Sequence, residues 1–315
     1  MAPPDLTARP LGMAEVIDRS VALTRRHFPA LFVTMLVVQA PALLLVRQIP
    51  SLAELVTAIG DPEHAAALAG TALRGLAGSF LALLMLQLAA TAAAAAIVAP
   101  TLDPRRDAGR PPLFRALGAV ASSSALQVLL LTAAPFVGML PGLALVLRSA
   151  SFATALAGAV AATAGAVGLF LVVLLRLVLA PAAAALEGLN GLGALLRSAR
   201  LMSPRRGKRL AERPGVRASL ILFASFVLAL AVNGLAGLPR LLALRLASGP
   251  GAGLALLGAQ LPLPLEIALA LFEAAASAAL QPFSLVAVVV FYYDRRARTE
   301  GLDLEIWAGR LEAGP

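Results

Sequence analysis

Six stretches of this chain run for about twenty residues or more almost without charge, and the arginines gather at every second connection between them. The stretches cover roughly 28 to 47, 76 to 99, 122 to 147, 152 to 180, 218 to 239 and 263 to 293. A helix needs about 20 mainly apolar residues to cross a bilayer, and each stretch meets that length. Lipid offers no partner to a backbone N–H or C=O, so a spanning segment must be a helix or a barrel strand. Continuous apolar runs without two-residue alternation exclude the barrel. With 60% hydrophobic and 14% charged residues, the composition excludes an ordinary soluble domain.

Counting Lys and Arg in each connection gives the orientation. Arg9, Arg19, Arg25 and Arg26 precede the first stretch. Arg105, Arg106, Arg110 and Arg115 fill the second connection, and Arg197, Arg200, Arg205, Arg206, Lys208, Arg209, Arg213 and Arg217 the fourth. Arg295, Arg296, Arg298 and Arg310 lie in the tail. These are twenty of the twenty-six basic residues, so the expectation is six spans with both termini in the cytoplasm. The expected layout is a single membrane domain over 1–315: a cytoplasmic segment 1–27, a bundle 28–293 and a cytoplasmic tail 294–315. A net charge of +9 then reads as topology and attraction to anionic lipid, not as a nucleic-acid footprint.

Near the start, Thr24-Arg25-Arg26-His27-Phe28 has the look of a twin-arginine export signal. A basic anchor beside an uncleaved first helix is the preferred reading, because five further apolar stretches follow. Just before it, Met13, Val16, Ile17, Ser20, Val21, Thr24 and Phe28 recur at helical spacing, opposite Glu15, Asp18, Arg19, Arg25 and Arg26. That pattern predicts an amphipathic helix lying in the interface. Residues 191 to 202 and 113 to 120 are comparable, and Arg19-Ser20-Val21-Ala22-Leu23 resembles Arg197-Ser198-Ala199-Arg200-Leu201. Two readings stand: three parallel repeats of interfacial helix, outward span and return span, or coincidence in an Ala/Leu/Arg-rich chain. Pro282 is expected to kink the last stretch, and Pro135 and Pro141 to bend the third. Gly158, Gly165 and Gly168 suit close helix approach.

Chemistry is sparse. The chain has no cysteine, which removes disulfides and thiolate metal sites. Gly-rich phosphate loops, zinc motifs and nucleophile elbows are missing, so no enzyme, metal or cofactor is expected. Arg176, Glu266 and Glu273 are the ionisable groups expected at membrane depth, where such groups are expensive. They read either as an ion or proton pathway or as structural pairs, for example Arg176 with Glu273. Gln39, Gln87, Gln127 and Asn233 are expected to hydrogen-bond between helices. Arg205, Arg206, Lys208 and Arg209 are the candidates for headgroup or partner binding.

The segment Ala14-Glu15-Val16-Ile17-Asp18-Arg19-Ser20 leading to Arg25-Arg26-His27-Phe28, the internal Leu195 to Leu201, and the tail carry a resemblance. In the tail it rests on Pro282-Phe283, on Phe291-Tyr292-Tyr293-Asp294-Arg295-Arg296-Ala297-Arg298, and on Glu300-Gly301-Leu302-Asp303-Leu304-Glu305. Together these are similar to the bacterial multi-spanning membrane domain of glycerophosphoryl diester phosphodiesterase and related membrane proteins. The resemblance implies a free-standing membrane domain, because the histidines and acidic cluster of a phosphodiesterase domain are not in this sequence.

The sequence therefore predicts an all-α integral protein of the bacterial inner membrane, with about six transmembrane helices and amphipathic interfacial helices. The leading expectation for function is a non-enzymatic scaffold that binds anionic lipid or a cytoplasmic protein partner. The alternative is a small-molecule or ion permease with an intramembrane polar pathway.

Overall fold

A computed structural model describes residues 10–46, 70, 90–91, 93–102, 113–149, 151–203, 213–248 and 261–301. In chain order its elements are α1 (Met13–Arg26), α2 (Phe28–Val46), α3 (Ala93–Leu102), α4 (Leu113–Leu147), α5 (Phe152–Leu177), α6 (Ala180–Glu187), α7 (Gly191–Leu201), α8 (Pro214–Ser248) and α9 (Leu263–Glu300). No strand occurs among the described residues.

Helix α1 begins where the Glu15 carboxylate accepts the Gly12 N–H at 2.6 Å. It carries Glu15 in its first turn and Arg25 and Arg26 in its last, each charge matched to the helix dipole. Its buried stripe is Val16, Ser20, Leu23 and Thr24. The expected face is thus rotated: Leu23 turns inward, while Val21 and Phe28 are about 40% exposed. At the other end of the chain α9 stops at Gly301, whose φ of 69° places it in the left-handed region. This is the C-cap that the sequence points to.

Among the described residues, four helical stretches are long and apolar enough to cross a membrane: Gly118–Leu147, Phe152–Glu187 (α5 continued by α6), Pro214–Ala247 and Leu263–Glu300. In the first and third only 11% of the most apolar window is buried. Phe136, Leu147, Leu230 and Leu246 face outward, which suits lipid rather than water. The first expected stretch is helical as α2, and the second falls mostly outside the described residues.

Two local expectations change, at residues 113–120 and in the fourth stretch. Residues 113–120 do not form a separate interfacial helix; they are the opening turns of α4. Pro282 lies inside α9, which runs for 38 residues, about 57 Å at 1.5 Å per residue. The fourth stretch breaks after Leu177 and resumes as α6, whose first turn accommodates Pro181.

Helices α4 and α5 form the most intimate pair. Gly138 and Gly142 of α4 lie against Gly158, Ala162 and Gly165 of α5, and a Cβ at Gly138 would collide with the Gly165 carbonyl oxygen. Gly168, grouped with these in the sequence, has open space beside it. The second assembly is α8 and α2 against α9. The two meet at one end of the molecule, where Leu31, Val98, Val120, Leu179, Val290 and Tyr292 are buried in a common core. That end carries the arginines.

Candidate functional site

The last three turns of α9 organise the basic end. Asp294, 2% exposed, takes the Leu11 N–H at 2.8 Å, Arg217 Nη1 at 2.7 Å and Arg298 Nε at 3.0 and 3.1 Å. Arg217 and Arg298 also donate to the Leu11 carbonyl oxygen, at 2.9 and 2.6 Å. One carboxylate and one peptide unit thereby join the segment before α1, the start of α8 and the end of α9. The Arg217 guanidinium carbon lies 5.7 Å from the centre of the Phe291 ring, a cation–π geometry. Asp294, within the last turns of α9, thus meets Arg217, the last member of the basic run in the fourth connection. Asp303, Glu305 and Trp307 lie outside the described residues.

A second cluster faces α6 and α7. Arg197 grips Glu187 through Nε and Nη2 at 2.9 to 3.2 Å and also reaches Glu300 at 2.8 Å. Tyr292 donates its hydroxyl to Glu187, and Arg296 donates to Glu300 at 3.0 Å. Burial alone would lower the Arg197 guanidinium, but its hydrogen bonds and charge contacts with Glu300 and Glu187 outweigh that and hold its pKa above the ordinary arginine value. Arg295 caps the end of α7 by donating to the Leu201 carbonyl at 2.7 and 3.0 Å. Ser198, fully buried, donates to the Arg176 carbonyl at 2.7 Å and accepts the Leu179 N–H at 3.2 Å. It bridges the break between α5 and α6, where the regular helical pattern leaves these backbone groups without partners.

Of the charged residues expected at membrane depth, the structure separates all three. Arg176 lies in the last turn of α5, at the basic end, and does not pair with Glu273. Glu266 lies in the first turn of α9, at the opposite end, and forms an ion pair with Arg240 at 3.1 Å. Glu273 is half-buried two turns further along α9. No single site contains them. Arg176 instead meets Arg213 in a groove of about 370 Å³ between the end of α5 and the start of α8. Val172, Leu175, Met202 and Val216 form its apolar walls. Neither guanidinium has a carboxylate partner among the described residues. Sequence reading missed Arg213 because it counted as one of eight basic residues in a connection; its proximity to Arg176 depends on how α5 and α8 pack.

Arg205, Arg206, Lys208 and Arg209 lie outside the described residues, as does Gln87. Two of the expected interhelical amides do bond across helices: Gln39 donates to the Gln281 side-chain oxygen at 2.5 Å, and Asn233 accepts from the Ser277 hydroxyl at 2.6 Å. Gln127 is buried on α4 with its side-chain oxygen unpartnered. Among the described residues no group of His, Cys, Asp and Glu is placed to hold a metal ion.

The class these features define is a helical protein with, among the described residues, four helical stretches able to cross a membrane, closed at one end by a buried ionic network. No family model, curated protein or solved structure matches the chain.

Proposed function

We propose that this chain is a non-enzymatic integral protein of the bacterial inner membrane that holds anionic phospholipid at its cytoplasmic, arginine-rich end. The observation that carries the reading is the groove shared by Arg176 and Arg213. Two guanidinium groups without carboxylate partners among the described residues line a hollow whose other described walls are apolar. An anionic phospholipid has that composition, a phosphate that guanidinium donors bind strongly and a chain that apolar side chains cover. Charge placement supports the orientation: the clustered arginines share one end with the Asp294 and Glu187 networks, and that end is cytoplasmic by the positive-inside rule. Arg205, Arg206, Lys208 and Arg209 precede Arg213 in the sequence and add to the cationic charge of that connection. On this reading the chain crosses the membrane six times, with α2 and the stretch from 76 to 99 as the first pair. The resemblance of α1 and α7, each a basic amphipathic helix with a buried serine, belongs to a repeated unit. The likeness of the tail to the membrane domain of glycerophosphoryl diester phosphodiesterase fits a domain of this kind.

The test is native mass spectrometry of protein released from membranes containing phosphatidylglycerol. Wild type retains the lipid, and the double variant Arg176→Gln, Arg213→Gln loses it, with Arg148→Gln as the control. Equal retention by wild type and the double variant refutes the groove as the binding site, and lack of any retained anionic lipid refutes the function.

A further inference from the structure

Halfway along α2, α8 and α9, away from the basic end, polar side chains converge where lipid-spanning helices are normally apolar. Gln39 lies eleven residues after the start of α2, Ser225 eleven after the start of α8, and Gln281 twelve before Tyr293. At 1.5 Å per residue each is about 16 to 18 Å from the basic end, so the three share one level, near the middle of a bilayer core about 30 Å thick. They line a cavity of about 270 Å³, together with Asn233, Ser277 and Phe283. Among the described residues, none that lines it is charged.

The hydrogen bonding of the cavity is incomplete. Gln39 is 8% exposed and spends its amide N–H on Gln281, but its side-chain oxygen has no partner. The Ser225 hydroxyl also has none. A buried polar atom without a partner is rare and costly, the more so where water is excluded. Both residues line the same space. Around it stand the carboxamides of Gln39, Gln281 and Asn233, each able to donate and accept, and serine hydroxyls that serve as either. The Phe283 ring and neighbouring leucines give the cavity an apolar wall.

We propose that this cavity is a binding site for a small uncharged polyhydroxylated solute, of the size of a polyol or monosaccharide. Each hydroxyl of such a molecule donates and accepts, as the mixed lining requires, and its C–H face packs on an aromatic ring. A charged ligand would find no counter-ion. The site is separate from the Arg176–Arg213 groove and does not depend on it.

The test uses protein in nanodiscs and saturation-transfer NMR with xylitol as probe. Wild type is expected to give a saturable signal. In the double variant Gln39→Leu, Gln281→Leu, which removes both members of the hydrogen-bonded pair and so leaves neither orphaned, affinity falls at least tenfold. Ser225→Ala, which removes the hydroxyl alone, lowers it several-fold. The Arg176→Gln, Arg213→Gln protein keeps the signal, which separates this proposal from the lipid reading. Absence of a saturable xylitol signal in wild type overturns the proposal, as does a signal unchanged in both cavity variants. Equal binding of the anionic xylonate overturns the neutral-solute assignment.

Discussion

Removing the Asp294 carboxylate isolates the energetics of the basic end. In Asp294→Ala, Arg217 keeps its buried position, its side chain only 5% exposed, but loses the ion pair with Asp294. Arg298, with its side chain 22% exposed, can turn to water, and the Leu11 N–H loses its acceptor. Breaking a buried pair by deleting one partner costs about 3–5 kcal/mol, mainly because the remaining charge stays desolvated. The Leu11 N–H adds about 1 kcal/mol if water reaches it. The expected destabilisation is therefore about 4–6 kcal/mol, against about 1 kcal/mol for Arg298→Gln, which leaves the Arg217 pair intact. Reversible unfolding in mixed micelles, followed by the fraction of denaturing detergent at the midpoint, measures both. The double variant Arg217→Met, Asp294→Leu removes both charges and should recover at least half of the loss seen in Asp294→Ala. If Asp294→Ala costs less than about 1 kcal/mol, or if the double variant is worse than the single, the carboxylate does not hold this end together.

The other predictions follow the same contacts. Gly165→Leu drives a side chain into the Gly138 carbonyl; it should cost 3 kcal/mol or more, about the upper end for overpacking, while Gly168→Leu, with open space beside it, stays within about 1 kcal/mol by the same unfolding assay. Ser198→Ala leaves the Leu179 N–H and the Arg176 carbonyl without their shared partner and should cost about 1–3 kcal/mol, with faster amide exchange at Leu179. Burial, reinforced by the charge of Arg26, lowers the pKa of His27, so folding favours the neutral ring. Stability on that account is intact above the unfolded-state pKa of about 6.5 and falls as the pH drops through the folded-state value. Measured between pH 7.5 and 5.5, that part of the loss should vanish in His27→Gln.

How much of this was legible in the sequence depends on the range of the interaction. Helices, caps and basic clustering are local: the Gly301 cap, the helices α1 and α7, and the apolar spans follow from spacing and composition. The continuity of α4 through residues 113–120 was not legible, because an amphipathic opening turn reads the same whether or not the helix goes on. The buried face of α1 differs by part of a turn from the apolar stripe, since apolar Val21 and polar Ser20 and Thr24 lie side by side at its boundary and Val21 is the one left exposed. Arg176 counted as a membrane-depth charge because its stretch was measured as one helix; the break after Leu177 puts it in a terminal turn. The pairs Arg217–Asp294 and Gln39–Gln281 span 77 and 242 residues, and no local pattern announces such partners.

That separation sets an order of events when the protein is made. Asp294 is translated 283 residues after Leu11, whose N–H it accepts. At about 5–20 residues per second the N-terminal segment and α1 wait roughly 15 to 60 s for their partner. Arg217 and Glu187 wait with them, each without its α9 contacts. Until α9 emerges, Arg217 lacks its contact with Asp294 and Glu187 its contact with Tyr292. Closure of the basic end is thus a late, post-translational step rather than one that accompanies the emergence of α1.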